Sequence, residues 1–162
     1  MELLGFESVG ITAIAILVFA VVLIFMMVRS VPQGEEWTVE RFGRYTRTLT
    51  PGLRFLIPIM DKVGAKINMM ETVLDIDSQE VITKDNAMVV TDAVTFYQVV
   101  DAAAAAYEVR DLYRGLSNLT QTNIRSVLGS MDLDESLSNR EIINAKLLSV
   151  IDEAANPWGV KV

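Results

Sequence analysis

Hydrophobic and polar residues follow three successive patterns along this chain. From Ser8 to Val28 every residue is uncharged (SVGITAIAILVFAVVLIFMMV), and no polar stripe interrupts the helical circumference. At about 1.5 Å per residue the run reaches roughly 31 Å, the thickness of a bilayer's hydrocarbon core. It predicts a transmembrane helix over residues 9–28, preceded by a short extracytoplasmic tail over residues 1–8. A cleaved signal peptide would need a basic leader, a shorter apolar stretch and a small-x-small cleavage site. Here the leader holds two glutamates and no basic residue, and the run ends Phe25-Met26-Met27-Val28-Arg29. No proline offers a turn inside lipid, so the segment is expected to pass straight through.

From Val31 to Val99 the pattern is that of strands. Trp37 to Phe42 is rich in β-formers, Thr50-Pro51-Gly52 is a turn signal, and Glu80 to Thr83 followed by Lys84-Asp85-Asn86 and Met88 to Val99 reads as a hairpin. In the last of these, Val90, Val94 and Phe96 share one face and Thr91, Thr95 and Tyr97 the other, with Asp92 interrupting the apolar face.

From Asp101 the period becomes helical. Asp101 is placed to cap a short helix over Ala102 to Tyr107. A second helix is expected from Asp111 to Leu128, with Leu112, Leu116, Leu119, Ile124, Val127 and Leu128 inward and Gly129 ending it. A third begins at Ser138-Asn139-Arg140-Glu141, which matches a capping box, and carries the stripe Ile143, Leu147, Val150, Ile151 and Ala154. Asn156-Pro157 stops it, and Trp158 to Val162 reads as a turn opening into a strand. Strands followed by helices predict an α+β domain, β-rich over residues 31–99 and helix-rich over 100–162.

Composition narrows the chemistry. The chain has no cysteine and no histidine, which excludes disulfides, thiol nucleophiles, histidine-based triads and the HExxH zinc site. GxGxxG is absent and lysine never follows glycine, so no phosphate cradle is expected. A Ser-Lys dyad or an all-carboxylate metal site passes this filter without any motif to favour it. The net charge of −7 argues against a nucleic-acid partner. Arg29, Arg41, Arg44 and Arg47 follow the apolar run while its N-terminal flank has no basic residue, which places the N-terminus outside and the domain in the cytoplasm.

The motifs Val31-Pro32-Gln33-Gly34, Val39-Glu40-Arg41-Phe42-Gly43-Arg44-Tyr45, Pro51-Gly52-Leu53, Leu56-Ile57-Pro58 with Asp61, Gln79 to Asn86, Asn123 to Gly129 and Pro157 to Val162 occur in one order. Together they resemble the stomatin/prohibitin/flotillin/HflK-HflC superfamily, the SPFH or band 7 domain, and within it the bacterial QmcA type and its paraslipin relatives. The resemblance implies a non-enzymatic scaffold in the bacterial inner membrane, without cofactor. Its copies would form rings or cages that define membrane microdomains and assist membrane-protein quality control. It implies as partners the lipid bilayer, further copies of the chain, and an AAA-type membrane protease or NfeD-type protein. Family members continue beyond the equivalent of Val162 into a final strand and a long coiled coil.

Two other readings stand beside it: an accessory subunit that regulates one transporter or channel, and a membrane peptidase using a Ser-Lys dyad. Composition alone reads Leu53 to Met60 as a buried strand. The resemblance implies instead a loop dipping into the membrane interface, which makes Leu53, Phe55, Leu56 and Ile57 interface candidates. Arg41 and Arg44, with Arg47 and Arg54, would suit anionic headgroups at about 1 kcal/mol each near the surface, or form a solvated charged face.

Overall fold

The computed structural model describes residue 14, residues 16–22 and residues 24–162. Residues 14, 16–22 and 24–27 are helical and form α1, whose large apolar side chains stand exposed. Among the described residues no helix is long and apolar enough to cross a membrane. The expected tail and residues 9–13, 15 and 23 of the expected span lie outside the described residues. Val28, expected to close that span, instead opens strand β1 (Val28–Val31), because its backbone pairs with Phe55 across an antiparallel ladder.

The chain divides into two compact units, Met1–Lys66 and Ile67–Val162. The change from strand to helix period comes where the sequence places it, near Val99, whereas the compact units divide earlier.

In the first unit, β1 pairs with β4 (Gly52–Phe55), and β2 (Glu35–Arg41), β3 (Arg44–Leu49) and β5 (Asp61–Asn68) form a sheet in the order β3-β2-β5. Val31, Val39, Leu49 and Leu56 make a small core, with Trp37 and Val63 against it. The Thr38 hydroxyl ties β2 to β5 by accepting from the Ala65 amide at 2.8 Å. Phe42 (φ 53°) and Gly43 (φ 78°) turn β2 into β3. Two left-handed residues in a two-residue loop match the right-handed twist of the strands.

In the second unit, β6 (Thr72–Ile82) and β7 (Met88–Val99) form the expected hairpin, closed by Lys84-Asp85-Asn86 with Asn86 left-handed. The pairing shifts register between Ile76 and Gln79, a bulge opposite Asp92. The shift changes the phase of β6: Leu74 and Ile76 are buried before it, Val81 and Thr83 after it. On β7 the small residues Thr91, Ala93 and Thr95 face inward and the larger Val90, Val94 and Phe96 face out. Helix α3 packs against β6.

The helices are α2 (Ala102–Tyr107), α3 (Leu112–Gly129), α4 (Leu133–Ser138) and α5 (Arg140–Ala155), and β8 (Val160–Lys161) returns antiparallel to β7. Helix α3 buries Leu116, Thr120, Ile124, Val127 and Leu128, so Thr120 occupies the inward place that the apolar pattern gave to Leu119. Helix α5 buries Ile143, Ile151 and Ala155, with Leu147 half-buried and Val150 exposed.

The expected cap at Ser138 is not formed. Ser138 closes α4, a helix absent from the periodicity reading, and its hydroxyl donates to the Asp134 carbonyl. Glu135 reaches back to the Asp132 amide at 3.3 Å at the start of that helix. Asp101 does cap α2, accepting from the amides of Ala103 at 2.8 Å and Ala104 at 3.1 Å. Asp101→Ala should therefore lower stability by about 1 kcal/mol, and Ser138→Ala by less than about 0.5 kcal/mol. Urea unfolding of both variants checks the order, and equal losses would contradict it.

Candidate membrane-interface site

The site is built where α1 ends. The ladder β1–β4 sets Val28 opposite Phe55, Arg29 opposite Arg54 and Ser30 opposite Leu53. Leu53 and Phe55, two residues apart, share one side of this ribbon and are 70% and 65% exposed. The Met27 carbonyl accepts the Leu56 amide at 2.8 Å, which fastens the end of α1 to the chain leaving β4.

Ile57 stands exposed beside them, but Leu56 is only 5% exposed and belongs to the small core. One residue of alternation separates the two fates, so Leu56 is withdrawn from the interface candidates. Arg41 is also placed otherwise than expected. Its Nε donates to Asp61 Oδ1 at 2.8 Å, and Arg47 Nη2 lies 3.7 Å from Asp61 Oδ2. The Asp61 side chain is 1% exposed and also accepts the Ile57 amide at 3.2 Å. The Arg41 guanidinium holds the Asp61 carboxyl below the usual carboxylate range; burial opposes this, and the Ile57 amide and the Arg47 charge reinforce it. Arg47 also donates to the Phe55 carbonyl at 2.7 Å. Arg41 and Arg47 thus organise the loop rather than offer free charge, whereas Arg44 is exposed at the start of β3.

Phe42, Ile59 and Asp61 join the site beyond the named interface candidates, Ile59 from within the loop that the resemblance placed at the interface. Phe42, at the tip of the β2–β3 turn, is exposed, and Arg41, paired with Asp61, precedes it directly. Ile59 is 98% exposed at φ 83°, a conformation rare for a β-branched side chain. Asp61 is the anchor of both neighbouring arginines. The signals were a phenylalanine in a Phe-Gly turn and an aspartate shortly after Pro58, neither of which carries a sign of function by itself. The arrangement is an apolar rim with basic neighbours and no reactive group. Among the described residues no three carboxylates are grouped to hold a metal ion.

This is an α+β chain whose exposed apolar helix is followed directly by a two-stranded ribbon that bears exposed Leu53 and Phe55 beside Arg29 and Arg54. The profile of the SPFH domain / Band 7 family matches residues 29–162, and the chain belongs to that family. It is 44% identical over 147 residues to a protein of Methanothermobacter thermautotrophicus, covering 91% of this chain and 46% of that protein. It is 40% identical over 154 residues to a protein of Mycobacterium tuberculosis, covering 94% and 40%. A stomatin homolog of Pyrococcus horikoshii is 40% identical over 147 residues, covering 91% and 55%. The chain spans about half the length of these curated relatives or less. The resemblance carried by the motifs is borne out at the level of the superfamily.

Proposed function

We propose that this chain is a membrane-anchored, non-catalytic scaffold whose copies assemble laterally into rings or cages, define a patch of membrane and assist membrane-protein quality control. The observation that carries the reading is the continuity of exposed apolar surface from α1 into Leu53 and Phe55, fastened by the Met27–Leu56 hydrogen bond. Contiguous apolar surface of this kind is stable only when something apolar covers it. The helix inserts, the ribbon rests at the headgroup level, and Arg29, Arg44 and Arg54 meet anionic lipid. The N-terminus lies outside and the domain that follows α1 faces the cytoplasm of a bacterial inner membrane. An AAA-type membrane protease or NfeD-type protein is the partner class. Membership of the SPFH domain / Band 7 family and the similarity to stomatin homologs support the scaffold reading.

Ile16→Arg and Leu17→Arg test the anchor. A charged residue at the helix centre costs about 2.5–3.5 kcal/mol of insertion free energy, so the fraction retained in carbonate-washed membranes should fall sharply. Unchanged retention would refute the anchor. Size in mild detergent tests the assembly: a large homo-oligomer supports the scaffold, and a one-to-one complex with a single transporter or channel replaces it with the regulatory subunit.

A further inference from the structure

A cavity of about 690 Å³ opens in the first unit beside the ribbon. Arg29 of β1 and Lys62 and Lys66 of β5 line it, with the indole of Trp37, and Met26 and Ile59 supply apolar wall. All three cations are exposed, and among the described residues none forms an ion pair with a carboxylate. Lys66 Nζ lies 4.3 Å from the centre of the Trp37 ring, so the indole face holds one ammonium at the cavity. The indole N–H is already donated to Glu35 at 2.8 Å. Asp61 is the one carboxylate among the lining residues, and Arg41 and Arg47 hold its charge.

We infer that this cavity binds the phosphodiester headgroup of an anionic phospholipid. Three cations without carboxylate partners around one opening favour an anion there, and the opening is large enough for more than a phosphate ion. Met26 is the penultimate helical residue of α1, so the apolar part of the ligand lies along the helix end and its phosphate meets the cations. Tryptophan at the headgroup level suits the same depth. The inference rests on α1 entering a bilayer, and it adds a defined lipid site to that anchor.

The full chain carrying Trp158→Phe leaves Trp37 as its one tryptophan. It is titrated in mild detergent with short-chain phosphatidylglycerol, with phosphatidylcholine of equal chain length and with inorganic phosphate, and bound lipid is counted by native mass spectrometry. Phosphatidylglycerol should saturate at one site, at least about tenfold tighter than phosphatidylcholine, and inorganic phosphate should not saturate in that range. Lys62→Ala with Lys66→Ala should raise Kd about 30-fold, which is about 2 kcal/mol for two cations. Lys62→Arg, which keeps the charge at the cation that does not stack on the indole, should stay within about threefold of the parent. Equal affinity for the two lipids, an unchanged Kd in the double alanine variant, or phosphate binding as tightly as phosphatidylglycerol would each overturn the site. Flotation on pure phosphatidylcholine vesicles separates the two readings. A chain that floats without preferring phosphatidylglycerol has the anchor and lacks the site; a chain that does not float loses the anchor itself.

Discussion

Gly159→Ala is expected to destabilise the second unit by about 3 kcal/mol, the sum of a left-handed backbone strain and an overpacked contact. Gly159 sits at φ +67°, and a Cβ there would stand 2.7 Å from Asp101 Cβ, 2.8 Å from the Asp101 carbonyl oxygen and 2.9 Å from Ala104 Cβ. The backbone cannot retreat without loss. The Gly159 carbonyl accepts the amides of Val100 at 2.8 Å and Asp101 at 3.1 Å, and its own amide donates to Asn156 at 2.9 Å. This one residue ends the 3-10 turn Asn156–Trp158 that follows α5, leads into β8 and fastens the start of α2. The neighbouring Trp158 reports the loss in a Trp37→Phe background, where the melting midpoint should fall by about 15 °C. A fall under about 3 °C would mean that the close packing of the β8 turn against Asp101 is not maintained in solution.

Asp61→Asn is expected to cost about 2 kcal/mol in the first unit. The amide keeps the shape of the carboxylate but loses the charge that Arg41 and Arg47 share. Both arginines are partly exposed and can turn to water, which keeps the loss below that of a fully buried pair. The pH dependence has a definite sign. The folded-state pKa of Asp61 is depressed, so its contribution is complete above the ordinary carboxylate pKa of about 4 and is lost as the pH falls through the lower folded value. Acidification below about pH 4 should therefore narrow the difference between parent and Asp61→Asn. Trp37 emission in a Trp158→Phe background reads the first unit. A gap that stays constant down to pH 2 would remove the ionised carboxylate from the explanation. Because Ile57 and Phe55 are held through Asp61 and Arg47, the variant should also bind vesicles less well.

Much of the local structure was legible because spacing along the chain encodes it. Enrichment in β-formers marked β2, period-two alternation marked β7, and Lys84-Asp85-Asn86 marked the turn between β6 and β7. Asp101 announced its helix since an aspartate before an alanine run has a free amide to accept from. Reading failed where two local signals compete. Ser138-Asn139-Arg140-Glu141 has the letters of a capping box, yet Ser138 finishes α4 and its hydroxyl finds the Asp134 carbonyl four residues back. Thr120 is buried in α3 where an apolar pattern chooses Leu119, since helical phase rather than hydrophobicity decides which side chain points inward.

The candidate site shows the same division. That an apolar segment precedes a basic flank and an apolar loop is a statement about composition, and the chain alone determined it. Family membership was equally legible, because long motifs in order survive without knowledge of contacts. Only the tertiary structure decided that Leu53 and Phe55 face out while Leu56 faces in, since that follows from the β1–β4 register. It also decided that Arg41 is committed to Asp61, twenty residues away, through the hydrogen-bonded neighbours β2 and β5. The cations come from two strands, Arg29 from β1 and Lys62 and Lys66 from β5, and no spacing in the sequence brings Arg29 to the other two around one cavity. Local periodicity fixes which elements form; partners distant along the chain meet only when strand pairing sets their register, and that is why the site's charges could be read only in three dimensions.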